Sequence, residues 1–290
     1  MIAIWRSLRP KQWAKNLFLF AGLIFSVKFF DLPLLAITAS AFTLFCLLSS
    51  SIYLINDIRD KESDQKHPTK KLRPIASGQL SVPLALFVAI IFASFSLIAS
   101  FYLNIAFGLV ALTYFILMVS YTFILREIVI LDVFSIAAGF VLRAIAGVVV
   151  IGVILSPWLF ICTILLSLFI ALGKRRNELV TLSGNATEHR KILDEYNPAL
   201  LDQLISAVAG STIIAYSLYT LWPDTVAKFS SYNLVYSVPF VLYGIFRYLY
   251  LIYQKGKGGK PEELLLTDMP LLINILFWIS SLIIIIYYIK

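Results

Sequence analysis

Three aspartates and an asparagine stand close together in one polar stretch of the chain. They are Asn56, Asp57, Asp60 and Asp64, in the pattern NDxxDxxxD. On a helix, this spacing predicts that Asn56, Asp60 and Asp64 form one stripe, with Asp57 about 100° from Asn56 around the axis. Carboxylates this close repel each other unless a cation lies among them, and hard oxygen ligands suit Mg²⁺. The four residues therefore predict a Mg²⁺ site that could bind a diphosphate.

The same stretch continues with HPTKKLRPIASG, which adds cations suited to phosphate oxygens. Arg73, held before Pro74, is the better candidate because a guanidinium can clamp phosphate with two hydrogen bonds. Lys70 and Lys71 can equally be basic residues that only fix the orientation in a membrane. His67 could be a base or a ligand, although a lone histidine in a loop is more often neither. For the whole stretch, the alternative is a solvated loop of mixed charge.

The sequence around this stretch is apolar enough to indicate a membrane protein. Of 290 residues, 60% are hydrophobic and 14% are charged, against about 25% charged in soluble domains. We predict an all-α, polytopic bundle of about nine transmembrane helices, forming a single domain over residues 1–290. Asn104 is the weakest boundary between them. The predicted spans are 16–30, 33–55, 83–103, 105–124, 129–152, 157–173, 203–222, 233–253 and 270–289. Pro33, Pro83, Pro157 and Pro270 stand at predicted helix starts, and Cys46 and Cys162 are predicted to be buried and unpaired.

Basic residues are unevenly distributed among the predicted loops, and this predicts the orientation. With the N-terminus in the cytoplasm, most of the 24 Lys and Arg residues fall on the inner side, whereas Lys28, Lys228 and Lys290 fall outside. The active site then opens to the cytoplasm from the cell (inner) membrane. The positive-inside pattern explains the net charge of +8 without a nucleic-acid partner. The inner loops 57–82 and 174–202 predict two similar halves around one cytoplasm-facing cavity.

Charged side chains inside or near predicted spans are costly to bury and are functional candidates. Asp132 and Arg143 are eleven residues apart, about three turns, so both should face one way. The phosphate of a lipid is one partner for Arg143, and an internal ion pair or a carbonyl cap is equally plausible. Further candidates for the mouth of the cavity are Tyr121, Arg126 and Asp268.

Several segments of the chain resemble the UbiA prenyltransferase superfamily. NDxxDxxxD after the second span is similar to its first aspartate-rich motif. RPKQWAKN at 9–16, the stretch 56–78, LDVFSIAAGFVLRAIAG at 131–147 and GKRRNEL at 173–179 resemble its decaprenyl-phosphate phosphoribosyltransferase branch. The resemblance extends over about residues 5 to 200, with a weaker match in KPEELLLTDMPL at 260–271. It favours a phosphate role for Lys15, four residues after Lys11 at the membrane interface. Membrane anchoring together with Trp13 is the alternative.

The resemblance also implies a second acidic motif after the sixth span, and here the chain departs from the superfamily pattern. It has Lys174, Arg175, Arg176, Asn177 and Glu178 instead. A phosphate-binding cluster fits these residues better than a second metal site, and Glu178 can orient Lys174 four positions earlier. The branch resembled has tyrosine where this chain has Arg176. The alternative for the three cations is a basic anchor at a helix end.

The resemblance implies transfer of 5-phosphoribosyl from 5-phosphoribosyl diphosphate (PRPP) to a polyprenyl phosphate, with Mg²⁺ as cofactor. We predict Asp57, Asp60 and Lys15 as catalytic residues. The predicted substrate-binding residues are Lys15, Asn56, Lys70, Arg73, Tyr121, Arg126, Arg143, Lys174, Arg175 and Glu178. The alternatives are an intramembrane aromatic prenyltransferase and a transporter without catalysis, the latter disfavoured by acidic residues at the rim rather than the midplane. Membrane lipids are expected partners, and a homo-oligomer stays open.

Overall fold

The structure is a computed structural model that describes residues 2–154, 156–181, 191–259 and 261–288. Its regular elements are helices throughout this part of the chain. The α-helices are α1 Ile2–Ser7, α2 Phe20–Phe25, α3 Leu32–Arg59, α4 Lys61–Lys66, α5 Val82–Leu103, α6 Ile105–Phe123, α7 Leu131–Val150, α8 Pro157–Thr181, α9 Pro198–Leu221, α10 Pro223–Phe229, α11 Val238–Tyr253, α12 Pro261–Thr267 and α13 Met269–Tyr287. The 3₁₀ helices are Pro10–Leu19, Lys70–Leu72, Leu125–Glu127, Lys191–Glu195 and Asn233–Ser237.

Among the described residues, 8 helices are long and apolar enough to cross a membrane. They are α3, α5, α6, α7, α8, α9, the continuous stretch Asn233–Tyr253 that ends in α11, and α13. The all-α, multi-pass architecture predicted from the sequence is therefore confirmed. Lys290, predicted to lie on the outer side of the membrane, is not among the described residues.

Helix boundaries follow local rules that the sequence already displays. The prolines at 33, 83, 157 and 270 lie in the first helical positions of α3, α5, α8 and α13, where a missing N–H does no harm. Asn104 separates α5 from α6 with extended backbone, and its side chain accepts a hydrogen bond from the N–H of Phe107 at 3.0 Å. Two helices therefore meet at Asn104, as predicted.

The first predicted span, 16–30, is not a single long α-helix. The chain forms the ten-residue 3₁₀ helix Pro10–Leu19 and passes directly into α2. From their rise per residue, the two helices extend about 29 Å, close to the ~30 Å of a hydrocarbon core. A 3₁₀ helix aligns residues three apart, so one face presents Trp13, Asn16 and Leu19. Lys11 and Lys15, four residues apart, therefore lie on different faces of this helix, whereas an α-helix would place them on one face.

The described residues divide into two compact units. Unit 1 comprises the described residues up to 154 together with 191 and 192, and α7 is its central helix. This helix contacts the 3₁₀ helix Pro10–Leu19, α2, α3 and α6. Small residues bring these elements close: a Cβ at Gly147 would lie 1.9 Å from the carbonyl oxygen of Leu19. Gly147 therefore allows the N-terminal segment to pack directly on α7.

Unit 2 comprises the described residues of 156–181 and of 193–288. In it α8 packs along α9, α9 contacts α11, and α11 packs against α13. Asp268 caps the N-terminus of α13 by accepting a hydrogen bond from the N–H of Leu271 at 3.1 Å. It also accepts two hydrogen bonds from Arg247 of α11, at 3.0 and 2.9 Å. This pair joins two membrane-spanning helices of the unit. The prediction of a single domain with a shared cavity stays a prediction.

Candidate functional site

The aspartate stretch lies where α3 ends and α4 begins. Asp60 is the residue between the two helices. The helical pattern nevertheless continues through it, because the N–H of Asp60 donates to the carbonyl of Asn56 and the N–H of Asp64 donates to the carbonyl of Asp60. The side chain of Asn56 donates to Asp60 at 3.1 Å, so these two share a face as predicted. Asp57 and Asp64 are buried, with side chains 2% and 5% exposed. Burial of two carboxylates requires compensating positive charge.

Three arginines supply that charge, each from a different segment of unit 1. Arg73 donates to Asp57 at 3.1 Å and to Asp64 at 2.6 Å. Arg9 also donates to Asp57. Arg126 binds both oxygens of Asp60, at 2.7 and 3.0 Å. Arginine thus groups Asp57 with Asp64 and leaves Asp60 with Arg126, and the predicted place of Asp64 in a stripe with Asn56 and Asp60 stays a prediction. Asp57 and Asp64 are seven residues apart, close to two full helical turns, which brings them to the same arginine.

Within the described ranges, no group of three His, Cys, Asp or Glu residues is arranged to hold a metal ion. The donor types nevertheless fit Mg²⁺, because three carboxylates and an amide oxygen are the hard ligands that this ion prefers. In this structure, guanidinium groups provide the positive charge that a cation would bring. Binding of Mg²⁺ by Asn56, Asp57, Asp60 and Asp64 therefore requires exchange with the arginines.

Arg9 was missed by the sequence analysis as a member of this site. It belongs to the segment RPKQWAKN, which was singled out there for Lys15. Arg9 has a φ of 53°, a left-handed conformation that is rare for a residue with a side chain. Its guanidinium also lies over the ring of Tyr53, 5.2 Å from the centroid. The signal for Arg9 in the sequence is that this cation stands directly before Pro10, at the start of a helix.

The 3₁₀ helix that carries Lys15 is fixed to α3 through its polar face. Trp13 Nε1 donates to Ser50 Oγ at 3.0 Å, and Asn16 Nδ2 lies 3.3 Å from Ser49 Oγ. Lys15 is half-buried on this helix. Trp13 is thus anchored within the protein, which weakens its interpretation as a membrane anchor. The predicted catalytic and substrate-binding roles of Lys15 stay predictions.

Arg143 lies in a buried network of unit 1. Its guanidinium donates to Asn16 Oδ1 at 2.7 Å, to the carbonyl of Gly139 at 2.8 Å and to Tyr114 Oη at 2.6 Å. The same group lies over the Tyr114 ring, 4.6 Å from its centroid. Of the alternatives considered for Arg143, the carbonyl cap is the one observed. These hydrogen bonds hold the 3₁₀ helix against α7, and the predicted role of Arg143 in binding a lipid phosphate stays a prediction. Asp132, also in α7, is buried in the first turn.

The other candidates of unit 1 are His67, Lys70, Lys71 and Tyr121. His67 Nδ1 accepts from the backbone N–H groups of Thr69 and Lys70, at 3.2 and 3.3 Å, which gives it a local structural role. Lys70 and Lys71 are exposed. Tyr121 is half-buried near the end of α6. The roles predicted for Lys70 and Tyr121 in substrate binding stay predictions.

The basic motif 173–179 lies at the C-terminal end of α8 in unit 2. The buried Arg175 donates to Glu178 at 2.6 Å, so the glutamate orients Arg175 rather than Lys174. Arg176, the departure from the resembled pattern, donates to Asp202 at 2.5 Å. Within the described residues, Lys174 makes no ion pair. Two of the three cations are thus neutralised by acids, and Lys174 is the one left available for an anion.

Aromatic contacts reinforce the position of Arg176. Its guanidinium lies over the ring of Tyr253, 4.2 Å from the centroid, and Tyr253 Oη donates to Asp202 at 3.0 Å. Asp268 is bound to Arg247, and its predicted place at the mouth of a cavity stays a prediction. The hydrogen bonds from Arg247 lower the pKa of Asp268 below its ordinary value. The ion pair with Arg247 therefore favours the charged form of Asp268.

The sequence of this chain matches the model of the UbiA prenyltransferase family over residues 16–264. It is 35% identical to a decaprenyl-phosphate phosphoribosyltransferase of Mycolicibacterium smegmatis, over 96% of this chain and 90% of that protein. It is 33% identical to a protein of the same name from Corynebacterium glutamicum, over 97% of this chain and 86% of that protein.

The fold is similar to solved structures of a UbiA homologue from Archaeoglobus fulgidus. With the homologue bound to DMAPP and Mg²⁺, the TM-score is 0.73 at 18% identity, covering 98% of this chain and 99% of that one. With the homologue bound to GPP and Mg²⁺, the TM-score is 0.72 at 17% identity, over the same shares of the two chains. At this identity, the likeness concerns the fold.

Proposed function

The chain belongs to the UbiA prenyltransferase family, and from this premise we propose that it transfers 5-phosphoribosyl from PRPP to a polyprenyl phosphate such as decaprenyl phosphate. Relatives at 33–35% identity that bear this function in their names match nearly the whole chain, which supports the proposal. The active site would face the cytoplasm, because basic residues are concentrated in the loops predicted for that side.

The observation that carries the choice of substrate is the composition of the α8 end. Its one acid, Glu178, is engaged by Arg175, and Lys174 has no acidic partner in the described part of the chain. Such a segment attracts phosphate and offers little to a second cation. A prenyl diphosphate donor has only its diphosphate to bind. PRPP carries a further phosphate, which suits a second, basic binding segment.

The reaction replaces one bond at the anomeric carbon of the sugar. An oxygen of the lipid phosphate forms a bond to this carbon, and the bond from the carbon to the diphosphate oxygen breaks. Diphosphate leaves with the electron pair. Since the acceptor is already an anion, the reaction needs no strong general base. What the protein must supply is the positioning of two mutually repelling anions, which requires cations.

In unit 1, the carboxylates would bind the metal ion and the arginines would bind the diphosphate. Asn56, Asp57, Asp60 and Asp64 would hold Mg²⁺, which supplies neutralisation of the charge that develops on the leaving diphosphate. Arg73 and Arg126, once exchanged from the carboxylates, can donate to diphosphate oxygens from the same position. Lys15 is the proposed ligand of the acceptor phosphate.

The donor and acceptor are tested by diphosphate release from the purified protein with Mg²⁺. We expect release with PRPP plus decaprenyl phosphate, dependent on both substrates. Release only with decaprenyl diphosphate plus a hydroxybenzoate would assign the chain to aromatic prenylation. Uptake or efflux of a solute without product formation would support the transporter alternative.

A further inference from the structure

Two ion pairs lie side by side in unit 1, where the end of α3 meets the 3₁₀ helix Leu125–Glu127. Arg126 donates to both oxygens of Asp60, at 2.7 and 3.0 Å. Its neighbour Glu127 accepts a hydrogen bond from Arg59 at 2.8 Å. An exchange of partners would bring Arg59 to Arg126 and Asp60 to Glu127, which are pairs of like charge. The two ion pairs therefore fix which side of the 3₁₀ helix faces α3.

Arg59 also contacts the beginning of the connection from α6 to α7. Its guanidinium lies over the ring of Phe123, the last residue of α6, 5.3 Å from the centroid. At the other end of this connection, the N–H of Leu131 donates to the carbonyl of Val129 at 2.8 Å. Ile130 between them has a φ of 69°, which is rare for a β-branched residue. The connection is therefore tightly turned before α7 and bound by Arg59 after α6.

The two ion pairs respond differently to a metal ion at the aspartates. Binding of Mg²⁺ by Asp60 requires exchange with Arg126, which breaks the first pair. The pair between Arg59 and Glu127 uses neither of the exchanged groups, so it is retained in the metal-bound state. Because the Glu127 side chain is 57% exposed, this pair has the modest strength of a surface ion pair. It would keep the backbone of Arg126 beside the aspartates.

We propose that Glu127 is a positioning residue for the diphosphate: bound by Arg59, it keeps the adjacent Arg126 directed at the site after Arg126 leaves Asp60. This inference rests on the proposed function, in which Arg126 donates to the diphosphate of PRPP. It gives an acid a part in binding an anion, although the charge of a nearby carboxylate by itself repels that anion. Positioning and charge therefore predict opposite effects when Glu127 is neutralised.

Glu127→Gln is the variant that distinguishes the two effects. Loss of a negative charge alone should strengthen the binding of inorganic diphosphate at saturating Mg²⁺. If Glu127 positions Arg126, isothermal titration calorimetry should instead show binding weakened about two- to fivefold, as expected for a partly exposed ion pair. Glu62→Gln, at an exposed acid of α4, is the matched control and should not weaken diphosphate binding.

Variants of Arg59 test whether the ion pair itself is responsible. Arg59→Gln should weaken diphosphate binding at least as much as Glu127→Gln, and the double variant should bind no more weakly than Arg59→Gln alone. Arg59→Lys keeps the charge and a donor for Glu127, so it should retain most of the binding. Lys66→Gln, at an exposed cation of α4, is the control for loss of one positive charge. Additive losses in the double variant would overturn the proposal.

Steady-state kinetics separate failure of this inference from failure of the proposed function. We expect Glu127→Gln to raise the KM for PRPP about two- to fivefold and to leave the KM for decaprenyl phosphate and the Tm near those of the unmodified protein. Equal or tighter diphosphate binding by Glu127→Gln would overturn the inference and leave the proposed function intact. If the unmodified protein binds diphosphate but forms no lipid product from PRPP and decaprenyl phosphate, the proposed function fails. Absence of diphosphate binding by the unmodified protein would overturn both.

Discussion

At the scale of single residues, the aspartate stretch is defined by the arginines that meet it. Arg126 holds both oxygens of Asp60, while Arg73 joins Asp57 to Asp64. The motif alone predicts the type and number of the ligands that we propose for Mg²⁺. The pairing with arginines from residues 9, 73 and 126 could not be predicted, since it depends on segments brought together by the fold. The position of the aspartates is therefore visible in the local sequence, whereas the arginines that balance their charge are known only from the tertiary structure.

The first prediction concerns Asp60 as a ligand. Asp60→Asn keeps the size of the side chain but removes the charge, and we expect turnover to fall by more than about 100-fold, because losing an outer-shell partner alone costs about 10–100-fold in metal affinity. Expression and thermal unfolding should stay near those of the unmodified protein. Glu62→Gln, at an exposed acid of α4, is the control and should keep full activity. Full activity of Asp60→Asn would refute the metal assignment.

The second prediction concerns competition between arginine and metal. If Arg126 must release Asp60 before Mg²⁺ binds, Arg126→Gln should bind Mg²⁺ several-fold more tightly in the absence of substrate. Turnover should nevertheless fall, because the diphosphate loses a cation. Titration calorimetry with Mg²⁺ alone measures the first effect. Arg59→Gln is the control, since Arg59 pairs with Glu127 at 2.8 Å rather than with the aspartates. Weaker Mg²⁺ binding by Arg126→Gln would show that the arginine supports the site instead of competing for it.

At the scale of elements, the N-terminal segment is where sequence reasoning and structure differ most. A stretch of apolar residues near 20 in length predicts an α-helical span, and the prediction succeeds for the eight long helices. The 3₁₀ helix Pro10–Leu19 forms instead because residues three apart, such as Trp13 and Asn16, both have partners on α3. Those partners lie more than 30 residues away in sequence, so a local pattern could not reveal them.

Close packing of this segment on α7 gives the third prediction. Gly147→Ala places a methyl group 1.9 Å from a backbone oxygen, a contact that only a backbone shift can relieve. Overpacking typically costs about 1–3 kcal/mol, and we expect at least this much here. Gly210→Ala in α9 is the matched control, because its added Cβ would meet no atom within 4 Å in the described residues, apart from its chain neighbours and the adjacent backbone of its own helix. Thermal unfolding in detergent should show a lower Tm for Gly147→Ala only, and equal Tm values would contradict this packing.

The ion pair between α11 and α13 gives the fourth prediction. Since Arg247 lowers the pKa of Asp268, the ionised carboxylate stabilises the folded state above its ordinary pKa of about 4, and this stabilisation is lost as pH falls through the lowered value. Asp268→Asn keeps a helix-capping oxygen but should lose this pH dependence. Asp268→Ala should be less stable still, by about 1 kcal/mol for the missing cap. A stability profile of Asp268→Asn that falls in acid as steeply as that of the unmodified protein would contradict this.

At the scale of the whole molecule, composition and motif lead to a membrane transferase of the UbiA family. The membrane-spanning character follows from hydropathy, which needs no tertiary information. The orientation with the N-terminus in the cytoplasm rests on the distribution of basic residues and stays a prediction. The sequence shows that GKRRNEL stands where an acidic motif is expected. The structure shows in addition that two of its cations, Arg175 and Arg176, are already paired with acids. Lys174, which has no ion pair among the described residues, is the residue on which the proposed phosphorylated substrate rests.

The central claim is that the group transferred is a phosphorylated sugar and that a lipid phosphate receives it. The most direct measurement is the mass of the lipid product after incubation of the purified protein with Mg²⁺, PRPP and decaprenyl phosphate. The account predicts a lipid heavier by one intact phosphoribosyl group, formed by the unmodified protein and not by Asp60→Asn. An unchanged lipid, together with a prenylated aromatic product from decaprenyl diphosphate and a hydroxybenzoate, would contradict it.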